Sequence, residues 1–150
     1  MLCIEHKENT TMKFMVIVKA NKDSEAGVLP TTEQLAEMGK FNEELVQAGI
    51  MQAADGLQDS SKGARVKFSG NNSSVSYGPF PLTSDLIAGY WIWKCSSLQE
   101  AVEWLKRAPF RDGEVEIRQI FSAEDFGNNL TPELREQEQR LGKQIAEYAH

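Results

Sequence analysis

Leu86-Ile-Ala-Gly-Tyr-Trp-Ile-Trp-Lys-Cys95 is the most apolar stretch of the chain and constrains its fold more than any other segment. It is far shorter than the roughly twenty apolar residues a membrane helix needs. A continuous apolar run of this length, bounded by polar residues, suits a strand in the middle of a sheet. Side chains alternate along a strand. Gly89, Trp91 and Trp93 therefore share one side, and Ala88, Tyr90 and Ile92 the other.

Elements of two periods surround it. Lys13-Phe-Met-Val-Ile-Val-Lys19 reads as a strand buried on both faces. Asn21 to Pro30 reads as a polar loop. Thr31-x-x-Gln34 offers a capping box for a helix whose Leu35, Met38, Phe41, Leu45 and Ala48 fall on one face, with Gly49 as its stop. Ile50 to Leu57 is a second strand ending at Gly56. Arg65–Phe68 and Ser74–Tyr77 alternate around Gly70-Asn71-Asn72, which is hairpin-turn chemistry. Gly78-Pro79-Phe80-Pro81 cannot continue a ladder because proline lacks a donor, so residues 78–86 form a loop. Ser97-x-x-Glu100 is a second capping box. It opens a helix with Leu98, Ala101, Val102 and Leu105 buried, and Pro109 stops it. Glu114 to Phe121 is the last strand. Thr131-Pro132 starts a third helix, whose Leu134, Leu141, Ile145 and Tyr148 form a thin apolar stripe suited to docking on this domain or on a partner.

Without the hairpin and the last helix, the order is β-α-β-β-α-β. This predicts an α+β, ferredoxin-like fold with an inserted β-hairpin and an extra C-terminal helix. Two helices cover one sheet face. The other face is expected to meet a second subunit's sheet in a dimeric, α/β-barrel-like assembly, with Trp91 and Trp93 suited to that surface.

The totals limit the partners. The chain has 150 residues, which suits one domain, and a net charge of −6. That charge opposes nucleic-acid and anionic-membrane surfaces, which call for a basic face. The two cysteines, Cys3 and Cys95, have no Cys-x-x-Cys spacing. Neither a zinc site nor a dithiol is indicated, and unpaired cysteines fit a reducing, cytoplasmic setting. No motif for a cofactor or metal is present. Residues 1–11 lack a signal-peptide pattern and read as a flexible tail.

Several motifs occur in a fixed order. They are Lys40-Phe-Asn-Glu-Glu-Leu-Val-Gln-Ala-Gly49, Asp55-Gly-Leu57, Ser61-Lys-Gly-Ala-Arg-Val66, Gly78-Pro-Phe80, Leu86-Ile-Ala-Gly-Tyr-Trp91, Glu100-Ala-Val-Glu-Trp104, Glu116-Ile-Arg118 and Glu124-Asp-Phe-Gly127. Together they resemble the YCII-related family in its DGPF-motif branch, over residues 12–127. Residues 128–150, with the third helix, lie outside. The resemblance implies a ferredoxin-like fold that dimerises through its sheets, with a cleft beside the motif loop. It also implies that some relatives are associated with sigma factors, and that distant ones act on small organic molecules. The usual motif, Asp-Gly-Pro-Phe-Ala-Glu-Thr-Lys-Glu, is here Tyr77-Gly78-Pro79-Phe80-Pro81-Leu82-Thr83-Ser84-Asp85. Gly78, Pro79, Phe80, Thr83 and a final carboxylate remain, and the other charges are lost.

The candidate chemistry is correspondingly thin. The family's YCII branch proper has been thought to use a His–Asp pair. The two histidines here, His6 and His150, lie near the termini, outside the matched domain. Asp85 could act as a general base, or simply close its loop, which is the commoner use of an Asp there. Arg118 could clamp a carboxylate or pair with Glu116. Three functions follow. The first is a dimeric module binding a small apolar or amphipathic molecule, lined by Tyr77, Phe80, Leu82, Thr83 and Trp91, with Arg118 as a further contact. The second is an isomerase, lyase or dehalogenase with Asp85 as base and Arg118 as anion clamp. The third is a regulatory partner of a transcription factor, acting through the last helix.

Overall fold

The computed structural model describes residues 11–149. Residues up to Gln119 form one compact unit, and residues from Ile120 onward form a second. The first unit contains β1 (Met12–Lys19), α1 (Lys22–Glu25), α2 (Thr32–Gln47), β2 (Met51–Gly56), β3 (Ala64–Ser69), β4 (Asn72–Tyr77), β5 (Ile87–Cys95), α3 (Leu98–Leu105) and β6 (Val115–Gln119). The second contains a 3-10 segment, Ala123–Asn129, and α4 (Pro132–Tyr148). Among the described residues no helix is long and apolar enough to cross a membrane.

The main sheet has four strands in the order β2-β5-β1-β6, and every pairing is antiparallel. The fold is α+β, and this order is compatible with the ferredoxin-like arrangement. The most apolar segment, β5, lies in the interior of the sheet, hydrogen-bonded to β1 on one edge and β2 on the other. Among the described residues, β3 and β4 pair only with each other. Their turn is Gly70-Asn71, with Ser69 opposite Asn72, so Asn72 belongs to the ladder and not to the turn. Gly70 has φ 58°, the left-handed conformation that glycine adopts without a steric cost.

One face of the sheet is packed by α2 and α3. Phe14 and Val16 of β1, Trp91, Trp93 and Cys95 of β5, Phe41 and Leu45 of α2, Ala101 of α3 and Ile50 form the buried core. Trp91 and Trp93, expected on the uncovered face, lie instead beneath the helices. Alternation correctly groups them with Gly89. It says nothing about which side the helices take, and that is settled where Phe41 meets both rings edge-on, at 6.2 and 6.3 Å. Such aromatic pairs add about 0.5–1.5 kcal/mol beyond their area burial. The Trp93 ring is fully buried, and its Nε1–H finds no acceptor among the described residues. Packing therefore retains this ring at the cost of an unmet hydrogen bond.

The helix starts are legible in the sequence. Thr31 accepts from Gln34 N–H while Gln34 Oε1 accepts from Thr31 N–H, completing the first capping box. Ser97 caps α3 through Glu100 N–H. The Glu100 carboxylate, however, takes the Ser96 hydroxyl instead of reaching back to Ser97. The polar stretch after β1 holds a helical turn that differs from the expected loop. Asn21 and Ser24 make a reciprocal capping box around α1. Helical periodicity overstates burial at the helix starts: Leu35 and Leu98 remain exposed. The spacing identifies the side of a helix, not how far along it the sheet reaches. In α4, Thr131 caps Leu134 N–H, and Leu134, Leu141, Ile145 and Tyr148 are exposed.

The Gly-Pro-Phe loop is held by Ser60, a buried polar residue in the 3-10 turn Ser60–Lys62. Its hydroxyl donates to Glu25 Oε2 (2.5 Å) and accepts from Phe80 N–H (2.9 Å). Its N–H donates to Glu25 Oε1 (3.0 Å). The α1 carboxylate, the turn and the motif loop are thus joined at one side chain. Gly78 fits because it has no Cβ: one placed there would stand 1.7 Å from the Ser60 carbonyl oxygen. Gly78→Ala is expected to destabilise the protein by at least about 3 kcal/mol, read as a lower urea midpoint.

Burial pushes the Cys95 thiol up to about 11, with nearby Glu100 adding to the shift. The thiolate is the reactive form. In a Cys3→Ser variant, Cys95 is expected to resist alkylation at neutral pH until the protein is unfolded. Rapid labelling of the native state would contradict this burial.

Candidate functional site

A pocket of about 300 Å³ opens where α2 crosses the end of the β2–β5 pair. That volume is at the lower end for small-molecule sites. Gly56 and Gly89 sit directly opposite each other in the ladder, and Gly89 also faces Val18 of β1. Both glycines fall on the helix-covered face, two residues from Ala54 and Trp91 respectively, which line the same pocket. Two missing side chains at adjacent positions leave the hollow. The two glycines are not equivalent. A Cβ on Gly89 would come within 3.1 Å of the Asp55 carbonyl oxygen, whereas one on Gly56 meets nothing within 4 Å.

The walls come from separate elements. Met38 and Asn42, one helical turn apart on α2, face the strands, and Phe110, beyond α3, contributes an aromatic edge. Phe110 lies 6.0 Å from Trp91, ring centre to ring centre, at 81°. The Trp91 indole is fixed at its polar end, since its Nε1–H donates to Asn42 Oδ1 at 2.9 Å. Asp55, Ala88 and Tyr90 border the pocket too. By strand alternation their side chains stand on the opposite sheet face, as the cross-strand pairing of Asp55 with Tyr90 requires. There the Tyr90 hydroxyl donates to Asp55 Oδ2 at 3.2 Å.

Of the residues nominated from sequence, Trp91 lines this pocket. Tyr77 lies on β4 opposite Ala64 and is 79% exposed. The Phe80 ring lies beneath the Arg65 guanidinium, 3.9 Å from its centre, which ties the loop to the hairpin. Leu82 is exposed, and Thr83 Oγ1 accepts the Asp85 N–H at 3.3 Å. The exposed Asp85 thus follows a small side-chain turn. Arg118 projects from the sheet face opposite the helices, and its guanidinium meets Glu116 at 3.3 Å. Glu116 also meets Lys19 at 3.3 Å, and these two cations hold its carboxyl below the usual range. His6, Cys3 and His150 lie outside the described residues. Among the described residues no group of three or more His, Cys, Asp or Glu side chains converges as a metal site would require.

Asn42 and the Gly56–Gly89 pair were not singled out by the sequence reading. Asn42 is a polar residue beside the buried Phe41 in an ordinary amphipathic helix. The two glycines become a feature only once the β2–β5 register sets them side by side.

The antiparallel sheet, its two covering helices and a pocket between the layers define a small α+β domain with a recess on its helix-covered face. The family model for the YCII-related domain matches residues 12–124, and the chain belongs to that family. Comparison with curated proteins finds no match to the chain.

The hydrogen bond to Asp55, followed by the repulsion between the two groups, raises the Tyr90 phenol above the ordinary tyrosine range. The neutral phenol is the stabilised form. Its contribution is therefore present below pH 10, the unfolded value, and is lost as pH rises through the higher folded value. Asp55→Asn is expected to move the Tyr90 titration toward the ordinary range, measured by tyrosinate absorbance.

Proposed function

We propose that this YCII-related domain is a dimeric module that binds a small apolar molecule in the pocket between α2 and the β2–β5 pair. The observation that carries this reading is the Gly56–Gly89 hollow beside a Trp91 ring fixed by Asn42. A pre-formed apolar recess with few polar groups is the usual form of a small-ligand site. Trp91 is kept from the residues nominated by sequence. Met38, Asn42, Gly56, Gly89 and Phe110 take the place of the loop residues 77–85, whose one ionic group is the exposed Asp85.

The dimer is proposed through the sheet face opposite α2 and α3. Met15, Ile17, Tyr90 and Ile92 alternate onto that face and are only half-buried within this chain. A second sheet would cover them, as the family resemblance implies. Sedimentation should give a dimer, and Ile92→Glu should shift it to monomer by placing a charge in the interface. A monomer at every concentration would remove the dimer from this reading.

Gly56→Leu tests the pocket. The added side chain has space and an unstrained backbone, so it fills the recess. The variant is expected to stay folded, within about 1 kcal/mol of the parent, and to lose binding of apolar fragments monitored by Trp fluorescence. Retained fragment binding would move the site elsewhere.

The exposed apolar stripe of α4 favours a second reading, a protein contact through that helix such as the transcription-factor partnership that the family resemblance implies. Ending the chain at Asn129 should abolish capture of that partner.

A further inference from the structure

The Trp91–Asn42 hydrogen bond determines what the pocket can recognise. An indole Nε1–H can only donate, so the Asn42 atom facing it must be the amide oxygen. The remaining polar group of Asn42 is then Nδ2, which carries two N–H donors and has no partner among the described residues. An ordinary asparagine amide offers both a donor and an acceptor. Here one lone pair of the acceptor is already engaged by Trp91, and that bond sets the orientation of the amide.

The other side chains on the helix-facing wall are Val18, Met38, Ala54, Trp91 and Phe110, none of them charged. The carboxylate residue that borders the pocket, Asp55, is turned to the other sheet face, where it accepts from Tyr90. Arg118 is on that other face as well, paired with Glu116. An anionic ligand would leave water with no cation to meet it, inside a chain of net charge −6. A cationic ligand would find no carboxylate facing it. A purely hydrocarbon ligand would leave the amide donors without a partner, a penalty that an acceptor on the ligand removes.

We propose that the pocket takes an uncharged, flat apolar molecule carrying one hydrogen-bond acceptor, such as a ketone or aldehyde carbonyl, and that Asn42 Nδ2 reads that acceptor. This rests on the binding reading above and adds the chemical class. Trp91 and Phe110 supply the apolar wall. Asn42 supplies the polar specificity and is placed by Trp91.

Acetophenone, ethylbenzene and benzoate form a matched set of probes for the full-length protein. They share a six-membered ring and differ in the group offered to Asn42. Acetophenone is expected to bind about fivefold more tightly than ethylbenzene, the effect of one net hydrogen bond, and benzoate more weakly than either. The Asn42→Asp variant retains an oxygen for Trp91 Nε1–H and removes both donors. It is expected to bring the acetophenone-to-ethylbenzene ratio to one. Asn42→Leu, which also lacks the donors but adds no charge, is expected to do the same. Equal affinities in the parent protein, tighter binding of benzoate, or a ketone preference that survives both substitutions would overturn the inference and leave the pocket reading intact. Failure of all three probes to bind would overturn the pocket reading and this inference with it.

Discussion

The packing of β5 against α2 is the interaction on which the remainder of the first unit depends. β5 forms ladders along both edges, so its backbone is satisfied by its neighbours, and its alternate side chains are left to define an inside. Trp91, Trp93 and Cys95 go inward and meet Phe41, Leu45 and Ala101. Three large rings and a leucine at that contact fix where α2 lies across the sheet. Burying each such side chain contributes about 1.5–3 kcal/mol, enough to hold an indole whose Nε1–H is unmet.

The pocket is a consequence of the same packing taken two residues further. Inward positions 91, 93 and 95 are filled, whereas inward position 89 is glycine and its partner across the ladder is Gly56. The helix passes over this end at a height set by the aromatic residues elsewhere, so it cannot sink into the gap. Met38, Asn42 and Phe110 close around it instead. The hydrogen bond between Asn42 and Trp91 lies at the boundary between the solid core and the hollow. It orients one polar group in surroundings that are otherwise apolar.

The motif loop has a different role. Its Gly-Pro-Phe residues are bound into a node of backbone and side-chain bonds centred on Ser60 and Glu25, and Phe80 supports Arg65 of the hairpin. Two of its residues build this node: Gly78, which has no room for a Cβ, and Phe80, whose N–H reaches Ser60. Tyr77 and Leu82, on either side of the Gly-Pro-Phe residues, are exposed.

The sequence by itself determined the local elements and the family. Capping residues Thr31, Ser97 and Thr131 satisfy helix N–H groups within a few residues of themselves, and strand alternation is a property of the backbone alone. Both can be read without knowing what lies across the fold. For the same reason, the grouping of Gly89, Trp91 and Trp93 on one face was legible. Only the tertiary structure decided that this face lies under the helices, because a period gives the relation among side chains and not the direction of the core. It also decided the site. Gly56, Gly89 and Asn42 lie far apart in the chain, and none is unusual in its local setting. They become a pocket through the register of two strands and the height at which aromatic rings hold a helix, both of which are contacts between distant parts of the chain.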